Sequence, residues 1–181
     1  MAAFIQNILV VLPGFSSAET THHPSSTVGS GDPIYFFDSD KPYFEFTNFS
    51  DHIVEYHDLI YPTAEHLFQA FKFMDTDPAL AERIRRLPTA RMAQQEARKQ
   101  AHRQRPDWLN VNVSMMDKVL KRKFSQHRSL RHMLRNTGSR ELIEDSPIDS
   151  FWGIGSDGRG RNELGKALMR LREGLQARRR H

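Results

Sequence analysis

The sequence contains no cysteine, which excludes disulfide bonds and thiolate metal sites. Its nine histidines include no H-E-x-x-H pair or other spacing typical of metal ligands, so nothing predicts a zinc site. Long hydrophobic runs are missing too, because the apolar stretch from Ile5 to Leu12 is far shorter than the roughly 20 residues of a membrane-spanning helix. These absences favour a protein of a reducing compartment, the cytoplasm or the nucleus, that has no membrane partner.

At 181 residues, the chain is long enough for one domain with a sizeable core. We expect residues 1–32 to form a flexible leader, since Ser, Thr, His, Pro and Gly dominate its second half. The small residues Ser16-Ser17-Ala18 follow the apolar stretch, so a cleavable signal is the alternative interpretation of this segment. The predicted domain covers residues 33–176, and a basic tail covers residues 177–181.

The chain is basic, with a formal net charge of +4 and a pI near 9.6. Such a balance fits a phosphate-bearing ligand or a nucleic acid, and it fits a solvated surface equally well. Part of the excess lies in Arg178-Arg179-Arg180, so the net charge does not by itself locate a binding site.

The residue pattern predicts a few short strands followed by helices. Aromatic and β-branched residues indicate strands at Ile34–Phe37 and Tyr43–Phe46, and a hairpin follows from Ile53 to Tyr61. Periodicity, caps and stop signals then predict helices at Pro78–Leu87, Thr89 to about His102, Asp107 to Phe124 and Arg128–Asn136, with a final helix that begins at Asn162. The predicted fold is of the α+β class: a mostly helical single domain with a small aromatic antiparallel sheet near the N-terminus.

The stretch Tyr61–Met74 predicts a buried helix, because apolar side chains cover most of its circumference. Thr63 is placed to cap the first free amides, and Glu65 falls in the first turn, where the helix dipole favours a carboxylate. At about 100° per residue, Glu65, Gln69 and Lys72 share one polar stripe along this helix. The stripe fits two interpretations: ordinary capping and surface contacts, or a cleft wall where an acid and an amine meet a substrate.

A second informative stretch runs from Asp149 to Gly165. Residues 153–158 match the dinucleotide-binding spacing G-x-G-x-x-G, but no predicted strand precedes them, so a Rossmann turn is excluded. A glycine-rich loop that enters a helix still offers free amides to phosphate oxygens. Gly165 lies inside the last predicted helix, where glycine costs about 1 kcal/mol relative to alanine, so we expect another backbone or a ligand to approach it closely.

Single residues elsewhere could complete such a cleft, and each also has an ordinary structural interpretation. Asn48 could donate a hydrogen bond or simply form a turn, and Arg91 could reach a phosphate or remain solvated. Trp108, at the start of a predicted helix, could stack on a flat ligand or pack in the core. The run Lys121-Arg122-Lys123 is typical of an exposed helix face.

Taken together, several of these motifs resemble the NADAR family, named for NAD and ADP-ribose, over roughly Pro33 to Leu175. The matching segments are Phe46-Thr-Asn48-Phe49, Tyr61 to Phe73, Asp107-Trp108, Lys123-Phe-Ser-Gln-His127 and Asp149 to Gly165. The resemblance implies a single, mostly helical α+β domain that hydrolyses N-glycosidic bonds without a metal or redox cofactor. It also implies activity either on phosphorylated riboflavin-pathway intermediates or on ADP-ribose attached to guanine in nucleic acid.

We predict Glu65 as the acid and base of this reaction, because breaking a ribosyl C–N bond needs proton transfer and stabilisation of the anomeric carbon. Lys72 is the candidate nucleophile, forming an imine with the opened sugar as the resemblance also implies, and apolar neighbours would lower its pKa. Lys123 is a competing candidate for that lysine. The predicted binding residues, for base, ribose and phosphates, are Asn48, Phe49, Gln69, Arg91, Trp108, Lys123, Asp149, Trp152, Gly153, Gly155 and Asn162.

The basic surface and the phosphate-suited loop favour an ADP-ribosyl glycohydrolase that removes ADP-ribose from modified guanine, with nucleic acid as a partner. The first alternative is an N-glycosidase of phosphorylated riboflavin intermediates, whose substrate is a small phosphoribosyl molecule. The second alternative is a non-catalytic module that binds ADP-ribose or another nucleotide.

Overall fold

The computed structural model describes residues 31–177, so most of the predicted leader and of the basic tail lies outside the described residues. Within that range the chain is mostly helical, as predicted, with four short strands. The strands are β1 (Ile34–Phe36), β2 (Val54–Tyr56), β3 (Leu59–Tyr61) and β4 (Leu142–Glu144). The helices are α1 (Ala64–Ala70), α2 (Pro78–Arg85), α3 (Ala90–Lys99), α4 (Trp108–Gln126), α5 (Arg128–Asn136) and α6 (Glu163–Ala177).

The strands of this part of the chain form two separate two-stranded sheets. β2 and β3 pair antiparallel, which confirms the predicted small antiparallel sheet near the N-terminus. β1 is not part of that sheet: it pairs parallel with β4, with Phe36 opposite Glu144. This pairing brings the segment before the glycine-rich loop next to the start of the domain, a contact that no local pattern in the sequence indicates.

The prediction of a strand at Tyr43–Phe46 is wrong, because Phe44–Phe46 form a short 3₁₀ helix. Tyr43 precedes this helix in the left-handed conformation, with a φ of 68°. Phe46 is buried, and its ring centroid lies 5.8 Å from that of Phe36 and 6.1 Å from that of Phe124. The aromatic residues here therefore serve to bury a ring in the core rather than to pair a strand.

Several helices begin with a side-chain cap, and the caps at Thr63 and Thr89 are predicted from the sequence. The hydroxyl of Thr63 accepts a hydrogen bond from the amide of His66 at the start of α1, and Asp77 and Thr89 cap α2 and α3 in the same way. α5 is followed by Gly138, whose φ of +64° is the left-handed conformation that closes a helix. These local signals mark the starts of α1, α2 and α3 and the end of α5.

The first helix is shorter than predicted. α1 ends at Ala70 rather than at Met74, and the next residues continue as tight turns, with the amide of Lys72 bonded to the carbonyl of Gln69. Lys72 therefore lies just beyond the regular helix. The turns keep it close to the residues of α1.

The long helix α4 is the central element of the domain and packs against α1, α5, α6 and β2. Its inward side chains Met116, Val119, Leu120 and Phe124 are each at most 2% exposed. A side chain of this size stabilises the fold by about 1.5–3 kcal/mol when it is fully buried. Among the described helices, none is both long and apolar enough to span a membrane.

Candidate active site

A cavity of about 290 Å³ opens between α1, α3, the beginning of α4 and the segment that follows β4. It is lined by eight of the residues predicted from the sequence: Asn48, Phe49, Glu65, Gln69, Lys72, Trp108, Asp149 and Trp152. The polar stripe that begins on α1 therefore faces a cavity. The chemical roles of these side chains stay predictions.

Glu65 is buried in the wall of this cavity, and amide groups contact both of its carboxylate oxygens. Nε2 of Gln69 donates a hydrogen bond of 2.7 Å to Oε1, and Nδ2 of Asn48 lies 3.4 Å from Oε2. The backbone amide of Glu65 also donates to the carbonyl of Asn48 at 3.0 Å, which ties this loop to the helix start. Burial raises the pKa of Glu65, while the amide of Gln69 and the charge of Lys72 oppose that rise.

Lys72 supplies an amine on the same wall. Its Nζ lies 5.4 Å from the ring centroid of Trp108 and 5.9 Å from that of Phe68, distances at which an aromatic face attracts a cation. Burial lowers the pKa of Lys72 to about 8; the carboxylate of Glu65 opposes this shift, and the guanidinium of Arg98 adds to it. A lysine with such a pKa carries a usable fraction of neutral amine near neutral pH.

Three aromatic rings form the apolar side of the cavity. Phe68 sits between two tryptophans, its ring centroid 5.2 Å from that of Trp108 and 5.3 Å from that of Trp152. Trp108 is only 6% exposed, so most of its surface serves packing, whereas Trp152 is partly exposed. Oδ1 of Asp149 accepts hydrogen bonds from the backbone amides of Phe151 and Trp152, which fixes the turn that carries Trp152.

Lys123, the competing candidate for the imine, is not among the residues that line the cavity. Its side chain is fully buried, and Nζ donates hydrogen bonds of 2.7 Å to the carbonyls of Glu45 and Thr47 and to the hydroxyl of Ser50. These three acceptors match the three N–H groups of an ammonium. The structure therefore places Lys123 outside the cavity lining, where it fixes a loop that contributes Asn48 and Phe49 to the cavity.

Four other predicted binding residues also lie outside the cavity lining. Arg91 is exposed on α3. Gly153 and Gly155 belong to a tightly folded loop, in which a Cβ on Gly153 would lie 2.7 Å from the carbonyl oxygen of Glu144. Asn162 is buried, and its side chain bonds two backbone groups of β4. Within residues 31–177 the glycines and Asn162 therefore serve close packing, and their role in binding phosphate stays a prediction.

The sequence interpretation missed two charged residues of the cavity, Glu144 and Arg98. Burial, followed by the charges of Asp149 and Glu65, raises the pKa of Glu144 to about 8. Arg98 follows Gln94 by one helical turn on α3, and both line the cavity, so helical spacing could have grouped them. Glu144 has no such signal, because its position depends on pairing with the distant strand β1.

A second depression lies on the surface of α5, beside Arg128 and His132. It is more open to solvent and has no carboxylate among its lining residues, so it offers no comparable chemistry. Across residues 31–177, no group of three or more His, Asp or Glu side chains is arranged to hold a metal ion.

A family model described as the NADAR domain matches residues 35–176. The chain belongs to the NADAR family. A riboflavin biosynthesis protein of Vibrio vulnificus is 40% identical over 144 residues, which cover 80% of this chain and 39% of that protein. An N-glycosidase of Nostoc punctiforme is 39% identical over 141 residues, which cover 77% of this chain and 90% of that protein. The NMR structure of the Escherichia coli protein YbiA matches with a TM-score of 0.75 and 36% identity, covering 82% of this chain and 87% of YbiA.

This NADAR chain thus shares the fold of YbiA, a protein that is named an N-glycosidase in Escherichia coli K12. By homology with these relatives, the chain is an enzyme of the N-glycosidase class. The matched part of the Vibrio protein is under half of its length, so the name of that protein describes more than the domain shared here.

Proposed function

We propose that this N-glycosidase cleaves the ribosyl C–N bond of a phosphorylated ribosylaminopyrimidine, an intermediate of riboflavin biosynthesis. The observation that carries the proposal is that Glu65 and Lys72 line one small cavity of about 290 Å³. The carboxylate is oriented by two amides, and the amine has a pKa lowered to about 8. An acid–base group beside a partly neutral lysine suits C–N cleavage through an imine.

In the proposed reaction, Lys72 acts in its neutral form. The protonated form of Glu65 gives its proton to the ring oxygen, which opens the sugar; Nζ of Lys72 then attacks the anomeric carbon, and the proton that this nitrogen loses returns to Glu65. The pyrimidine amine leaves with the electrons of the C–N bond and a proton, and a lysine imine remains. Water hydrolyses this imine to the sugar phosphate and regenerates the lysine. Glu65 is the carboxylate that accepts and returns protons during these steps.

The size of the cavity supports a small substrate. At about 290 Å³ it lies near the lower end of the range of small-molecule sites, which is about 300–1,000 Å³. A pyrimidine with one ribose and one phosphate suits this volume. ADP-ribose adds an adenine, a second ribose and a second phosphate, which would have to extend beyond the cavity.

The charge of the cavity supports a single phosphate. Among the described lining residues, the cationic side chains are Lys72 and Arg98. Lys72 is assigned to the chemistry, which leaves the guanidinium of Arg98 for an anionic group. A guanidinium matches one phosphate by paired, charge-assisted hydrogen bonds.

The preference for ADP-ribosylated guanine that the sequence suggests loses its main structural argument. That preference depends on a basic surface and on a glycine-rich loop that would offer its amides to a pyrophosphate. The loop does not supply them to the cavity, because Gly153 and Gly155 are not among the lining residues. The name of the Vibrio relative, a riboflavin biosynthesis protein, supports the smaller substrate instead.

The experiment that tests this proposal offers the purified chain two substrates in separate reactions: a ribosylaminopyrimidine 5′-phosphate and DNA that carries ADP-ribosylated guanine. Mass spectrometry measures the sugar that is released. We expect ribose 5-phosphate from the pyrimidine substrate. Release of ADP-ribose from the DNA with none from the pyrimidine would contradict the proposal, as would binding of either substrate without release of sugar.

A further inference from the structure

Glu144 is an acidic residue of the cavity that the roles of Glu65 and Lys72 leave unexplained. It ends β4 and lines the cavity, and its Oε2 is buried without a hydrogen-bond partner among the described residues. A buried polar atom without a partner costs about 1–3 kcal/mol, so its retention calls for a functional explanation. We propose that Glu144 is a second catalytic carboxyl group, which donates a proton to the nitrogen that leaves the sugar. This inference rests on the proposed N-glycosidase reaction of the cavity.

The backbone of Glu144 is fixed on both sides. Its amide donates a 3.0 Å hydrogen bond to Oδ1 of Asn162, and its carbonyl accepts one of 3.0 Å from the amide of Ile154. In the parallel sheet it stands opposite Phe36. A Cβ on Gly153 would approach the Glu144 carbonyl oxygen to 2.7 Å, so only glycine allows this packing. The glycine-rich loop and Asn162, which do not line the cavity themselves, therefore hold Glu144 in place.

The charged groups around Glu144 favour its neutral, protonated form. Asp149 and Glu65 are the acids that face it, and their charges add to the effect of burial. Lys72 also lines the cavity, but the carboxylate that favours its charged form is that of Glu65. With its pKa raised to about 8, Glu144 retains its proton at neutral pH.

Glu65 and Glu144 line one cavity in opposite surroundings. The carboxylate of Glu65 receives the amides of Gln69 and Asn48, and the charge of Lys72 also favours its ionised form. Oε2 of Glu144 receives no hydrogen bond from the described residues. Burial raises the pKa of both carboxyl groups, but hydrogen bonds that favour the ionised form reach Glu65 and not Glu144, and this difference divides the pair into an acid and a base. In the step that breaks the C–N bond, Glu144 is then the acid, and Glu65 is the base.

The proposed step conserves atoms and charge. When Lys72 has added to the anomeric carbon, the carboxylic acid of Glu144 gives its proton to the pyrimidine nitrogen. The electrons of the C–N bond go to that nitrogen, which leaves as a neutral amine, and the lysine nitrogen forms the protonated imine. Water hydrolyses the imine, which leaves Lys72 as an ammonium. That ammonium returns a proton to the carboxylate of Glu144.

The test compares wild type with Glu144→Gln, which keeps the shape of the side chain but cannot give up a proton. With a ribosylaminopyrimidine 5′-phosphate, kcat should fall about 10²–10⁴-fold while KM changes little. For the wild type, kcat/KM should fall as pH rises above about 8, where Glu144 loses its proton, and this limb should be absent in Glu144→Gln. Asp145→Asn is the matched control, because Asp145 is the exposed neighbour and lies outside the cavity lining.

An infrared spectrum of the protein without substrate provides a readout that does not depend on activity. At neutral pH the difference spectrum between the wild type and Glu144→Gln should contain the band of a protonated carboxylic acid, whatever Glu65 contributes to both spectra. An active wild type with undiminished turnover in Glu144→Gln overturns this inference, and so does a missing infrared band. A wild type that releases no sugar from any N-riboside overturns the proposed function instead.

Discussion

Gln69 donates a 2.7 Å hydrogen bond from Nε2 to Oε1 of Glu65, one turn earlier on α1. Asn48 approaches the other carboxylate oxygen from the loop before β2. The carboxylate is therefore oriented in the cavity wall by protein groups before any substrate binds. A catalytic group held in this way loses little entropy when the reaction begins.

Replacing Glu65 with glutamine should lower kcat by about 10²–10⁴-fold, with little change in KM. The amide fills the same space but cannot accept or return a proton. Steady-state kinetics on the phosphorylated ribosylaminopyrimidine measure the effect. Glu55→Gln is a suitable control, because Glu55 is exposed on β2 and lies outside the cavity lining. Undiminished turnover in Glu65→Gln would remove this residue from the mechanism.

The rate should rise with pH as the amine of Lys72 loses its proton. Only the neutral amine attacks carbon, and burial lowers the pKa of Lys72 to about 8, so kcat/KM should drop about tenfold for each pH unit below that value. Arg98→Met should move this limb to higher pH, since the guanidinium helps to lower the pKa of Lys72. A flat profile between about pH 6 and 8 is not compatible with an amine nucleophile.

Arg98→Met should also raise KM for the phosphorylated substrate by about tenfold or more. The loss of a hydrogen bond to a charged group costs about 1.5–3 kcal/mol, which corresponds to at least a tenfold weaker complex. The same variant should not affect KM for the substrate without its phosphate. Lys99→Met, an exposed neighbour on α3 that does not line the cavity, serves as control. Equal losses with both substrates would show that Arg98 does not bind the phosphate.

Replacing either of two glycines of α6 with alanine should change the stability of the fold, in opposite directions for the two positions. A Cβ on Gly165 would lie 2.1 Å from the carbonyl oxygen of Leu142, so Gly165→Ala forces α6 away from β4 and should destabilise the fold by about 1–3 kcal/mol or more. A Cβ on Gly174 meets nothing within 4 Å, so Gly174→Ala should stabilise α6 by about 0.5–1 kcal/mol. Urea denaturation measures both changes. Equal effects would contradict the close contact between α6 and β4.

The helices of this fold can be predicted from the sequence because their signals are local. Asp77 and Thr89 cap helices where the residue pattern places them, and Gly138 closes α5. The parallel pair of β1 and β4 cannot be predicted in the same way. Each strand has three residues, and the pairing depends on the packing of distant parts of the chain rather than on alternation within either strand.

The same distinction applies to the cavity. Glu65, Gln69 and Lys72 come from one helix and the turn after it, so helical spacing alone groups them. Glu144 reaches the cavity only through the pairing of β1 with β4, which the sequence does not reveal.

Lys123 has charged neighbours that suggest an exposed face, yet it follows Leu120 by three residues on the buried side of α4. The spacing of three residues from Leu120 indicates that Lys123 is buried, although its charged neighbours suggest exposure.

The most direct test of catalysis by Lys72 is borohydride reduction during turnover, followed by peptide mapping. With the ribosylaminopyrimidine 5′-phosphate, the reduced sugar phosphate should be found on the peptide that contains Lys72. Lys123→Met should give the same adduct, because the Lys123 amine is buried against three acceptors and lies outside the cavity lining. An active enzyme that gives no adduct on Lys72, or an adduct on Lys123 instead, would contradict the imine mechanism and the assignment of the nucleophile.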